Sequence, residues 1–382
     1  MPASPEQHHP DKGSGAGIDR ALIDLSILPV WSIAFPVIGV LMVLIGAAKL
    51  GGIGIAAAAI VLGGAVIAAV HHAEVVAHRV GEPFGTLVLA VSVTVIEVSL
   101  IVSLMLSDNG NASALARDTV FAAIMIILNG IVGICLLVGG VRHHEQRFAL
   151  RGVSAALCVL AALAVLTLVM PNYTSTLSGP YYAPSQMIFA AIASLVLYGV
   201  FVLVQTVRHR DYFLPDAPGD LPKDAHAEPP LARSAWMAFG VLIIALVAVV
   251  LLAKQLAPAL EAGIGALGLP LALVGVAIAA LVLAPESLAA MRAARRNRLQ
   301  TSLNLALGSA LATIGLTIPV VVIAALALDI PLALGIEPKH VALLGLSLVV
   351  AVLSLGNGRT TVLQGAVHLV LFAAYLFTII VP

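Results

Sequence analysis

The sequence predicts an all-α membrane protein of eleven transmembrane helices: one extra N-terminal helix, then two inverted five-helix repeats. Three observations lead there. Of 382 residues, 61% are apolar and only 10% are charged, with a mean hydropathy of +1.10. A soluble domain carries about 45–50% apolar and about 25% charged residues, so these charges are too sparse to cover a water-facing surface. Eleven runs approach the about 20 apolar residues that a spanning helix needs. One long, Pro-rich polar connection then divides the chain, leaving five runs on each side once the first is set aside.

In chain order, residues 1–27 read as a disordered cytoplasmic segment. The first 20 are polar, with Pro, His and Gly and no apolar core, so no cleaved signal peptide is expected. The runs then fall at 28–48, 53–73, 84–106, 119–141, 149–170, 184–207, 235–257, 269–291, 302–328, 340–355 and 360–381. The extra helix occupies 28–52, the first repeat 53–207 and the second 235–382. Between the repeats, 208–234 holds Pro215, Pro218, Pro222, Pro229 and Pro230 and reads as a flexible cytoplasmic linker. An odd number of spans per half forces the halves into opposite orientations, a common transporter plan. Cys135 and Cys158 both lie in apolar runs and read as small buried hydrophobes, not as a disulfide framework.

Orientation follows from the basic residues of the connections. With the N-terminus inside, the inner segments hold Lys12, Arg20, Arg79, Arg142, Arg147, Arg151, Arg208, Arg210, Lys223, Arg233, Arg292, Arg295, Arg296, Arg298 and Arg359, against Lys49, Arg117, Lys254 and Lys339 outside. The expected topology is therefore N-terminus cytoplasmic and C-terminus outside. The four arginines at 292–298 fit attraction to anionic lipid. Lys+Arg (19) balance Asp+Glu (19), so no basic field exists to hold nucleic acid. The chain also lacks the GxxxxGK[ST] nucleotide loop. The high Ala, Gly and Leu content with few Lys suggests a bacterial cell (inner) membrane.

Most acidic residues fall in loops or at helix ends. Glu97, in GTLVLAVSVTVIEVSLIVSLML, and Glu286, in VGVAIAALVLAPESLAAM, do not. A charge at bilayer depth costs at least about 2.5–3.5 kcal/mol, so it persists where it faces a cavity or binds something. Each acid sits in the second span of its half of the chain. The next span in each half places small, amide and hydroxyl residues at helical spacing: Thr119, Ala122, Ile126, Asn129 and Gly133 in one, Thr301, Asn304, Gly308, Ala312 and Gly315 in the other, with Ser309 and Thr313 adjacent. Packing glue between helices is one reading of these residues, and ligands for a bound cation the other. Pro285 removes a backbone donor before Glu286, and a helix broken there exposes carbonyls to an ion.

The segments HRVGEPFGTLVLAVSVTVIEVSLI and PESLAAMRAARRNRLQTSLNLALGSALATIGLTIP resemble the two alpha repeats of the calcium/cation antiporter superfamily, at about 81–141 and 269–320. More closely, they are similar to its bacterial calcium/proton antiporters of the ChaA type, over about 53–381. The resemblance implies that one acidic residue per repeat, Glu97 and Glu286, binds the transported cation. It places the amide of the first repeat on Asn129 and the Gly-Ser of the second on Gly308 and Ser309. The chain departs from the wider superfamily at Val95–Ile96, before Glu97, and at Ala312–Thr313. The expected cation and proton site is Glu97 and Glu286 with Asn129, Asn304, Ser309, Thr313 and Thr94.

Two desolvated carboxylates sharing one cavity repel each other, and one divalent cation or two protons neutralise them. If the empty, charged pair cannot cross the low-dielectric barrier, exchange becomes obligatory. Oxygen ligands at flexible positions suit Ca²⁺ better than Mg²⁺. The expected function is a secondary antiporter, not an enzyme, exporting Ca²⁺ against protons, with no cofactor. The partners expected are the lipid bilayer, cations and protons, with no nucleic acid or nucleotide; a homo-oligomer stays open. A passive channel with the acids as a selectivity ring and a mainly monovalent Na⁺(K⁺)/H⁺ antiporter are the alternatives. His71, Glu74 and His78 share one helix face at the inner end of the second run, with His72 alongside. They read as a proton entry point or pH sensor, as a peripheral metal site, or as an interfacial polar helix end. His143 and His144 read as solvated, and His8, His9 and His226 fall in flexible segments.

Overall fold

A computed structural model describes residues 28–47, 51–81, 84–105, 112–213 and 230–381. The expected disordered N-terminus at 1–27 lies outside the described residues, as do 214–229 of the expected linker, with His8, His9 and His226. Among the described residues, eleven helices follow one another as the apolar runs predict. They are α1 (Val30–Leu44), α2 (Gly52–Val80), α3 (Phe84–Met105), α4 (Ser113–His143), α5 (Leu150–Tyr173), α6 (Pro184–Arg208), α7 (Ala232–Ala266), α8 (Ala272–Arg295), α9 (Leu299–Leu328), α10 (Pro338–Leu355) and α11 (Val362–Ile380). Nine of these are long and apolar enough to cross a membrane; α1 and the Val88–Val102 part of α3 are shorter apolar stretches. Local signals set several ends. Gly81, at φ 75°, closes α2 with its N–H on the Ala77 carbonyl at 2.9 Å, a left-handed conformation that suits glycine. Pro184 and Pro338 occupy first turns, where a missing N–H costs nothing.

The inverted relation of the halves is visible in the connections. The loop after α4 pairs antiparallel with the loop after α10, Gln146 with Thr360 and Arg147 with Arg359. At the opposite ends of the helices, the loop after α5 meets the loop after α9 through the bridge Tyr181–Ala333. There Leu334 and Gly335 donate their N–H groups to the Pro180 carbonyl at 3.1 and 3.0 Å. Exchanging the halves while exchanging the two ends of the bundle carries one pairing onto the other. The third helix of each half also carries a π-helical turn, Ile126–Ile131 in α4 and Thr313–Thr317 in α9.

Packing divides the molecule in two. One buried cluster joins α2 and α7 through Leu62, Val66, Leu242, Val249 and Leu252, with Ile96 and Leu100 of α3 and Val282 of α8 at its edge. A larger one is centred on α4 and joins α5, α6, α9, α10 and α11. Two expectations need correction. α8 runs unbroken through Pro285; membrane helices tolerate proline because neighbouring groups and local adjustment re-satisfy the backbone. Cys135 is buried as expected, but Cys158 is exposed on α5, where a small thiol on a membrane helix can face lipid as readily as core.

Candidate functional site

A cavity of about 390 Å³ lies between α3, α6, α8 and α9. Of the sequence-predicted residues, Thr94, Glu97, Glu286, Asn304, Ser309 and Thr313 all line it. The two acids, about half the chain apart in sequence, reach it because each rides on the second helix of its half. α3 and α8 run in opposite senses through the bilayer, so their middles meet.

The two acids are held differently. Glu97 is 4% exposed, and Thr313 and Thr317 donate their hydroxyls to its Oε2 at 3.1 and 3.3 Å. Both threonines belong to the π turn of α9, which presents them together toward α3. A carboxylate in hydrocarbon that accepts two hydroxyl hydrogen bonds keeps part of the solvation that burial removes. Glu286 has no such support: its Oε2 is buried and has no hydrogen-bond partner among the described residues. Buried polar oxygens in folded proteins normally have a partner, so this unsatisfied one stands out on the cavity wall.

Asn129 is not brought to this cavity. It sits in the π turn of α4, fully buried, and donates from Nδ2 to Ser347 Oγ at 2.8 Å. Its Oδ1 lies 3.2 Å from His368 Nδ1, and His368 Nε2 lies 2.8 Å from Ser354 Oγ. This chain of buried polar groups ties α4 to α10 and α11 away from the acids. The sequence reading did not single out Thr317, nor Tyr198, Phe201 and Gln205, through which α6 contributes a wall of the cavity. For Thr317 a signal existed, a second hydroxyl four residues after Thr313; for α6 there was none.

The cavity spans only half of the bundle. Its walls are the first half of α9, the last half of α6 and the part of α3 leading up to Glu97. Beyond the acids, α8 lies directly on α4. A Cβ on Gly275 would stand 3.2 Å from Thr119 Oγ1 and 3.3 Å from the Thr119 nitrogen, so the absence of a side chain permits this approach.

His71, Glu74 and His78 do not line the cavity. The His71 ring stands 5.6 Å from that of Trp31 on α1, and Glu74 and His78 are exposed. Their neighbour His72 is the buried member, its Nε2 3.1 Å from the Ser32 carbonyl. Glu74 lies within electrostatic range of Glu286. Among the described residues, no group of three His, Cys, Asp or Glu stands close enough to hold a metal ion.

A family model described as "Sodium/calcium exchanger protein" matches residues 50–207 and 237–381. The chain belongs to that exchanger family. The two matched blocks coincide with the two five-helix halves, and α1 falls before the first, as an extra helix. Among relatives of this exchanger, the y4hA protein of Sinorhizobium fredii is 52% identical over 321 residues, covering 84% of this chain and 87% of its own. The protein named "Sodium-potassium/proton antiporter ChaA" of Escherichia coli (strain K12) is 40% identical over 312 residues, covering 81% and 84%. The solved structure of native YfkE superposes with a TM-score of 0.70 at 18% identity, covering 92% of this chain and all of that one. It shares the fold.

Proposed function

We propose that this exchanger is a secondary antiporter that moves a cation out of the cytoplasm in exchange for protons by alternating access. One observation carries the reading: Glu97 and Glu286, one from each inverted half, line a single cavity between the halves. Bare, this pair puts uncompensated charge in a low-dielectric region, which is costly. A cation or protons remove that cost, so the site changes face when filled and stays when empty, and net uniport is suppressed without further machinery. The mechanism draws on no cofactor.

The open half of the cavity faces the ends of α6 and α8 and the start of α9, where Arg208, Arg292, Arg295, Arg296 and Arg298 cluster. By the distribution of Lys and Arg this is the cytoplasmic side, in a bacterial inner membrane with the N-terminus inside. The state described is then inward-open, with the α4–α8 contact as its outer closure. Movement of the α1, α2 and α7 bundle against the rest is a natural means of switching, because the two sides bury separate clusters. Glu74, on α2 within electrostatic range of Glu286, forms a second approach for protons, with His71 one turn before it.

Two carboxylates with Thr94, Asn304, Ser309, Thr313 and Thr317 make an all-oxygen shell that suits Ca²⁺. A monovalent reading is favoured by a separate observation, the name carried by the 40%-identical Escherichia coli relative. Purified protein in proteoliposomes with an internal pH dye decides between them when Ca²⁺, Na⁺ and K⁺ are added in turn. A pH change with at least one cation, electrically silent leak being absent, is expected. Cation flux without any proton movement would support a channel and overturn antiport.

A further inference from the structure

The start of the linker packs behind the cavity, against two residues of its wall, Phe201 and Asn304. The turn Arg210–Phe213 follows α6, and although the sequence turns polar there, Phe213 is buried. Three features dock it. The Phe213 ring stands edge-on to Phe201, with centroids 5.8 Å apart. The Arg151 guanidinium lies over the Tyr212 ring at 5.3 Å. Gly152 leaves room for the turn, since a Cβ there would come 2.5 Å from the Tyr212 carbonyl oxygen and 3.0 Å from the Phe213 ring.

From this turn a chain of hydrogen bonds runs to the cavity, and its direction admits one assignment. The Ala149 backbone N–H donates to Gln300 Oε1 at 2.7 Å. Gln300 Nε2 therefore faces onward and donates to Asn304 Oδ1 at 2.8 Å. Asn304 Nδ2 donates to the Phe213 carbonyl at 2.6 Å. The chain begins at a group that only donates and ends at one that only accepts, so neither amide can be turned over without breaking two bonds. Among the described residues Asn304 Oδ1 accepts this bond alone, which leaves it a second lone pair, and Asn304 lines the cavity with the acids.

We propose that Gln300 and the Arg210–Phe213 turn are positioning elements of the transport site: they fix the Asn304 side chain so that its oxygen, not its NH₂ group, is held for the cation. Groups behind a ligand set its orientation in this way at many metal sites. The inference rests on the reading of the cavity as the cation site, and the variants separate the two.

The test is steady-state exchange in proteoliposomes, with Ca²⁺, Na⁺ and K⁺ as probes and internal pH as the readout. Gly152→Ala displaces the turn without touching the cavity, Gln300→Leu removes the other tether, and Asn304→Ala removes the amide. The hydrogen bonds lost are worth about 0.5–1.5 kcal/mol each, which predicts an apparent KM for the cation raised about twofold to tenfold in Gly152→Ala and Gln300→Leu, with maximal rate held. Thermal unfolding in detergent identifies any variant that fails to fold. If Asn304→Ala raises KM while Gly152→Ala and Gln300→Leu do not, or lower only the maximal rate, the positioning role is overturned and the site survives. If Asn304→Ala leaves KM unchanged, Asn304 is no ligand and the inference falls with it.

Discussion

In the proposed inward-open state the outer closure is the α4–α8 contact, whose close approach at Gly275 makes Gly275→Val the direct perturbation. A Cβ already meets Thr119 Oγ1 at 3.2 Å and the Thr119 nitrogen at 3.3 Å, and valine adds two methyl groups beyond it. Overpacking of this kind costs about 1–3 kcal/mol. If that cost falls on the state in which α8 lies against α4, the inward-open population drops about fivefold to 150-fold relative to the outward-open one. The readout is a Ser309→Cys reporter on the cavity wall, in a chain with Cys135 and Cys158 replaced by Ala, labelled by a membrane-impermeant thiol reagent in everted vesicles. Labelling from the cytoplasmic side is expected to slow in Gly275→Val, approaching the full change in the ratio once the outward-open state becomes the major one. Gly275→Ala is expected to show a smaller effect, relieved in part by Thr119→Ala. Unchanged labelling in a correctly inserted Gly275→Val protein would refute the idea that this contact closes the outer half.

Two further outcomes follow from the geometry. Thr313→Val with Thr317→Val strips both donors from Glu97; at about 1.5–3 kcal/mol per hydrogen bond to a charged group, exchange in proteoliposomes is expected to fall at least tenfold, with either single variant intermediate. Asn129→Leu breaks the buried chain to Ser347 and His368; leaving those groups unpaired costs about 1–3 kcal/mol, read as a lowered unfolding temperature in detergent, with little change in cation KM in protein that still inserts.

Much of this was legible in the sequence, because a bilayer imposes few rules and enforces them strongly. Eleven apolar runs gave eleven helices, and the two acids deep in their spans marked the cavity without any contact being known. Hydropathy could not show the π turns, since Ile126–Ile131 and Thr313–Thr317 have the composition of the α-helix around them. Asn129 shows the limit of reading spacing along one helix. Its partners Ser347 and His368 lie more than two hundred residues later, and nothing local tells a ligand amide from one engaged by a distant histidine. The same holds for Asn304, whose orientation depends on a carbonyl at the start of a polar linker. Pro285 warned of a broken helix, yet a single missing hydrogen bond did not outweigh the continuous packing of α8.

The central claim is that the two acids form one site that must be filled to move. It is tested most directly by cation-dependent proton movement in proteoliposomes carrying Glu97→Gln, Glu286→Gln or both. Each single neutral variant is expected to abolish coupled exchange while the protein inserts normally, and the double variant to add nothing further. Coupled exchange at the parent rate in either single variant would contradict the account.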